Sequence, residues 1–335
     1  RLLKDGTFNG VNYLDLSSNY PILLQGVEDK NLYDTNSEAL WEMDKIKDAA
    51  GEYVNKLIAV ADQVKLKIYN PDLLEFDKKI KDYGSEAIDI IGYYMYLYKK
   101  AEEKGAGVGQ FENFTALVKA NDIEKKINME NVFSDKATDE EKAQYKEYTD
   151  LLKKLNTQKL FKEEPMLESA LKDALAENNG QKELLNISKA LDITKNLLVV
   201  KVVPEEYDYF VKNKKYFDPQ SWANFLKEKS NELNLGLDMP ENFYIVKDNM
   251  PVIEKFYSTA VEREKTFVRK SEDAMTKDNI KIAALVAGGF HTPTLTQLLN
   301  EKGYSYIVIS PKVTTKTDDN LYRQTLKREW APGIE

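Results

Sequence analysis

Few residues in this chain have the chemistry for catalysis. His291 is the only histidine and there is no cysteine, which excludes disulfides, thiolate metal sites and cysteine nucleophiles. What remains is one imidazole and a supply of carboxylates. His291 closes the string Gly288-Gly289-Phe290-His291, and Thr292-Pro293 follows it. A second candidate lies far away in sequence, where Glu28 and Asp29 close the short apolar run 21–27. One imidazole with a carboxylate partner suits a general base. It could also hold a weakly bound hard divalent cation, with His291 and Glu28 as ligands, but makes a poor zinc site. The same spacings equally suit a histidine that packs or caps a turn, and carboxylates that are solvated or cap the next helix.

Positioning these groups falls to the elements around them. The apolar run 281–287 has strand length and reaches a Gly-Gly turn. Thr292 then stands at a cap position and Pro293 at the first helical one, where a missing N–H costs nothing. Leu295, Leu298 and Leu299 form one apolar stripe at i, i+3, i+4 spacing, and Gly303 is the expected stop. The run 304–310 reads as another strand. Strand, helix and strand make a βαβ unit, which is nearly always right-handed with parallel strands. Ligands of such sheets bind beyond the carboxyl ends of the strands, where Gly288, Gly289 and His291 would lie, the two glycines lining the place of a bound group. If 21–27 is a parallel neighbour, Glu28 or Asp29 comes to the same rim. The helix N-terminus after His291 favours the neutral imidazole that a base or ligand needs.

Between these ends the pattern is helical. Ser37 is placed to cap a helix bearing Leu40, Met43, Ile46, Ala50, Tyr53, Leu57, Val60 and Val64 on one face, ending near Asn70-Pro71. Helical pattern continues over 72–104, with a break at Gly84, and closes in the glycine-rich string 105–109. That string is a linker, since no strand precedes it and no phosphate-loop spacing follows. Thr138 with Glu141 has the capping-box form. Further helices are expected at 166–178, 181–200, 219–235 and 251–275. The expected organisation is an N-terminal part of an α/β core at 1–36, a helical insertion at 37–275, the βαβ part of the core at 276–315 and a C-terminal tail at 316–335. The fold class is therefore α/β, with a mainly parallel sheet, partial in this chain, and a large all-helical insertion that makes it helix-dominated overall.

Composition excludes several partners. A net charge of -8 over 335 residues argues against nucleic acid and anionic membrane surfaces, which demand a basic face. No uncharged apolar run is long enough to span a bilayer, and 88–98 reads instead as a buried helix. The chain opens at Arg1 without a signal-like segment, as expected if a leader has been removed or if it is a piece of something longer. An exported or cell-surface location is favoured over the cytoplasm. A thin sheet would need its edge covered, so the expected partner is a preceding segment or another chain that completes it, with a homo-oligomer as a further expectation.

The G-x-x-H string between strand and helix, preceded by a helix bearing Arg263-Glu264, resembles the C-terminal half of the TraB, ChaN and erythromycin-esterase-like superfamily, which includes the Tiki metalloproteases. The segments 10–33 and 286–310 are more closely similar to uncharacterised proteins of the Omnitrophota and related bacteria. The resemblance implies a mainly parallel sheet with a helical insertion, and hydrolysis of amide or ester bonds by a divalent ion or a general base. It implies His291 as metal ligand or base, Glu28 or Asp29 as its carboxylate partner, and Arg263 as a site for an anionic group. Only one G-x-x-H motif has a counterpart here; the other, with its own histidine, has none. The other reading is a non-catalytic binding or structural protein of the cell surface that retains the fold.

Overall fold

The computed structural model describes residues 10–19, 22–134, 137–288 and 291–310, without the side chains of Asn12 and Gln158. Its helices are, in order, α1 (Gly10–Ser17), α2 (Lys30–Ile68), α3 (Pro71–Gly84), α4 (Ile90–Glu103), α5 (Glu112–Glu124), α6 (Met129–Val132) and α7 (Asp139–Lys154). They continue as α8 (Thr157–Leu175), α9 (Asn179–Leu198), α10 (Pro204–Lys212), α11 (Pro219–Glu232), α12 (Tyr244–Lys247), α13 (Met250–Lys277) and α14 (Thr292–Glu301).

The α/β expectation is overturned. Among the described residues there is no strand, so no parallel sheet and no βαβ unit exists, and only the helix-dominated part of that expectation stands. The runs 21–27, 281–287 and 304–310 are expected to be strands because they are apolar and of strand length. A strand, however, needs a ladder partner, and among the described residues no backbone hydrogen bond joins any of these runs to another. Most of their side chains are uncovered, with Ile282, Ile307 and Ile309 each 88% exposed, while Val27 and Leu285 are partly buried. Residues 1–9, Pro21, Gly289, Phe290 and the tail 316–335 lie outside the described residues.

The chain divides into two compact units. One comprises Arg1–Gly51, Leu197–Val199 and Tyr244–Glu335, the other Glu52–Asn196 and Val200–Phe243. Helix α2 begins earlier than the Ser37 cap reading implies, because Asp29 caps it: its Oδ1 accepts from the backbone N–H of Asn31 at 3.0 Å and of Leu32 at 3.2 Å. Met43, Ala50, Tyr53, Leu57, Val60 and Val64 are buried along it, and Leu40 and Ile46 half-buried. The second unit is a helical assembly. There Asn70 caps α3 by accepting from Leu73 N at 2.9 Å, the helical pattern breaks after Gly84, and the Thr138–Glu141 capping box opens α7.

In the first unit, α13 carries Ile253, Phe256, Tyr257, Ala260, Glu264, Phe267 and Val268 inward. Phe267 and Val268 meet Leu295 of α14, with Val27, Leu285, Leu298 and Leu299 packed around them. Helix α14 ends in a Schellman motif: Gly303 N–H donates to Asn300 O and Tyr304 N–H to Leu299 O, each at 3.0 Å, and Gly303 has φ +77. Lys302 Nζ reaches Glu272 Oε2 at 2.8 Å, adding a polar tie between α14 and α13.

Candidate functional site

The site in the first unit grows from one turn of α13. Residues 263, 264 and 267 lie at i, i+1 and i+4, so one inward-facing ring has a guanidinium and a carboxylate on either side of it. His291 stands at the N-cap of α14 with φ -81 and ψ -14, one position earlier than the cap expected at Thr292. Its N–H donates to Gly288 O at 3.0 Å, and its imidazole meets α13.

There Glu264 meets it. Nδ1 of His291 lies 2.8 Å from Glu264 Oε1, with 2% of the glutamate side chain and 13% of the imidazole exposed. An ionised carboxylate can only accept, so with Glu264 ionised the proton of this bond lies on Nδ1. The second oxygen, Oε2, is buried and has no hydrogen-bond partner among the described residues. Phe267 meets the imidazole edge-on, at 5.4 Å between centroids and 85° between planes, which limits the tilt of the ring.

The neighbouring cluster is a second ion pair. Arg263 donates through Nε to Glu28 Oε1 at 3.2 Å and through Nη2 to Glu28 Oε2 at 2.7 Å, the two-pronged geometry that a guanidinium offers a carboxylate. Its Nη1 donates to Asn36 Oδ1 at 2.6 Å, while Asn36 Nδ2 donates to Phe256 O at 2.7 Å. The guanidinium carbon lies 5.3 Å from the Tyr33 ring centroid and 5.7 Å from that of Phe267. Lys270 Nζ donates to Glu28 O at 2.6 Å. These bonds tie the start of α2 to α13.

The structure thus groups the expected residues into two pairs that share Phe267. Glu28 is joined to Arg263, His291 to Glu264, and Asp29 to the backbone of α2. Gly288 takes part through its carbonyl alone. A Cβ placed there would come no nearer than 3.9 Å to His291 Cδ2. Gly289 lies outside the described residues.

Glu264, Asn36 and Lys270 were not among the expected site residues. Glu264 had a legible signal: it interrupts the apolar stripe of Ala260, Phe267 and Val268, where a carboxylate is buried only with a partner.

A divalent ion does not fit the donors described. No group of three or more His, Asp or Glu side chains set to hold a metal is found among the described residues. Both oxygens of Glu28 are taken by Arg263, and Nδ1 of His291 by Glu264. No helix among the described residues is long and apolar enough to cross a membrane. The chain matches no protein-family model, no curated protein and no solved structure.

Proposed function

We propose that the first unit carries a general-base centre for hydrolysis of amide or ester bonds, with His291 as the base and Glu264 as the residue that positions it. The observation that carries this reading is the bond of 2.8 Å between Nδ1 and a glutamate that is 2% exposed. A buried carboxylate at one ring nitrogen selects the tautomer whose other nitrogen is basic, and it stabilises the imidazolium that forms when a proton is taken up. In the reaction Nε2 takes a proton from water, the oxygen attacks the carbonyl carbon, and the imidazolium returns the proton to the leaving group as the tetrahedral intermediate collapses. The resemblance to the TraB, ChaN and erythromycin-esterase-like superfamily supports the same reaction class. No step is assigned to a metal ion. Arg263 and Glu28 act here as a clamp that fixes α13, and with it Glu264.

The test is turnover of a panel of activated esters and acyl amides by the full chain. His291→Ala is expected to lower kcat by about 10²-fold or more. Glu264→Gln should lower kcat with KM little changed and alter the pH profile of the rate. Turnover unaltered in His291→Ala would remove His291 from the mechanism.

The second reading is a non-catalytic binding or structural protein of the cell surface. It is favoured by the uncovered apolar side chains, among them Val286 at 71% and Ile307 and Ile309 at 88% exposure, since such patches mark contact surfaces. On this reading the wild-type chain hydrolyses none of the panel, and His291→Ala changes only stability.

A further inference from the structure

Independently of that site, the buried tyrosines of the second unit differ in what they are given to bond. The hydroxyls of Tyr53 and Tyr96 are buried without a hydrogen-bond partner among the described residues. Tyr93 and Tyr94, adjacent on α4 and 0% and 1% exposed, each have a carboxylate. The Tyr93 hydroxyl donates to Glu168 Oε1 and the Tyr94 hydroxyl to Glu164 Oε2, the latter at 2.5 Å. Glu164 and Glu168 stand at i, i+4 on α8, so one face of that helix sets two like charges against two neighbouring phenols. Satisfying the phenols does not require this. A neutral acceptor such as a backbone carbonyl serves a hydroxyl equally well and sets no carboxylates side by side.

The rings continue outward. Tyr83, half-buried near the end of α3, stacks on Tyr93 at 4.4 Å between centroids and 10° between planes. The Tyr93 and Tyr94 centroids are 6.4 Å apart. Three phenol rings therefore run in succession from one that solvent reaches to two that are enclosed. Burial, with the neighbouring carboxylates added, pushes both inner phenols up, so neither yields its proton while it keeps its electrons. Removing an electron alone would leave a radical cation in poorly solvated surroundings, which is costly. With a carboxylate at hydrogen-bond distance the proton can leave with the electron. The phenol and carboxylate together then go from one negative charge to none, the direction a low-dielectric interior favours.

We propose that Tyr93 and Tyr94 are a redox-active pair that gives up one electron, through the Tyr83 ring, to an outer-sphere one-electron oxidant, with Glu168 and Glu164 as the proton acceptors. The oxidant takes one electron from the phenol π system. The O–H bond breaks with its electron pair kept on the phenol oxygen, and a carboxylate lone pair forms the new O–H bond. One phenol, one carboxylate and one oxidant give one neutral phenoxyl radical, one carboxylic acid and the oxidant reduced by one electron. Return of an electron to the radical reverses the proton transfer.

The experiment oxidises the full chain with photogenerated tris(bipyridine)ruthenium(III), with persulfate as the sacrificial acceptor, and follows the phenoxyl radical by electron paramagnetic resonance. A persistent radical is expected, because enclosed rings cannot couple with those of another molecule, whereas a radical on Tyr244, which is 56% exposed, can. Tyr93→Phe combined with Tyr94→Phe should abolish the persistent signal and leave the circular dichroism unchanged. Glu164→Gln combined with Glu168→Gln keeps an acceptor oxygen but not the base, and should slow formation of the signal about 10²-fold. Tyr83→Leu, which leaves both phenol–carboxylate bonds in place, should slow it too. The proposal is overturned by a wild-type chain with no persistent signal, by a signal undiminished in the double phenylalanine variant, or by formation at the wild-type rate in the double glutamine variant.

Discussion

At the scale of single residues, the first unit is organised by two acidic side chains with different surroundings. Glu264 is enclosed and keeps one oxygen on His291, whereas Glu28 is 38% exposed and gives both oxygens to Arg263. The Arg263–Glu28 pair, being partly solvated, contributes less than its geometry suggests. Arg263→Lys loses the fork and the Asn36 bond, and should cost about 1 kcal/mol in a urea denaturation series. If Arg263 instead bound an anionic substrate group, the same variant would raise KM and leave the denaturation midpoint in place. A sequence reading that finds Arg263-Glu264 by resemblance can name the first partner and still miss the second. Adjacent helical residues face different ways, and only the inward stripe of α13 tells which one is buried.

At the scale of elements, helix ends and breaks were legible and pairing was not. The Thr138–Glu141 box, the break at Gly84 and the stop at Gly303 each rest on contacts within a few residues, so local sequence carries them. The start of α2 turned on a choice between two good caps, and Asp29 prevailed over Ser37. Asp29→Ala is expected to cost about 1 kcal/mol of stability without changing turnover, and Asp29→Asn to restore it; loss of turnover in both at unchanged stability would place Asp29 in the chemistry. Helix α8 carries a different kind of prediction. Burial holds the Glu164 carboxyl above its usual value of 4.5, the Glu168 charge adds to this, and the Tyr94 hydroxyl, 2.5 Å from Oε2, opposes it. Because its folded value is the raised one, Glu164 supports the fold below pH 4.5, and that support is lost as pH rises toward and through the folded value. Glu164→Gln should therefore match wild type in thermal melts at pH 4 and melt higher at pH 7. An equal gain at both pH values would remove the titration from the account.

At the scale of the whole molecule, the difference between expectation and structure lies in three apolar runs. Periodicity and length show that 21–27, 281–287 and 304–310 are apolar enough for a sheet, but they say nothing about what would supply the other half of each hydrogen bond. Helices satisfy their own backbones, which is why the helical middle could be read from one sequence and the sheet could not. The consequence can be measured by amide exchange. Within 282–287 and 305–310 no backbone N–H has an acceptor among the described residues, while the amides of α9 lie in a helix lined by Leu184, Ile187, Leu191 and Leu197. The first two stretches should exchange at close to unprotected rates and α9 slowest in its unit. Protection of 305–310 that grows with protein concentration would show the exposed Ile307 and Ile309 covered by a second copy of the chain, since a monomer's exchange does not depend on concentration. Full protection at every concentration would instead mean that the runs are already bonded within the chain, and the arrangement described for them would be wrong.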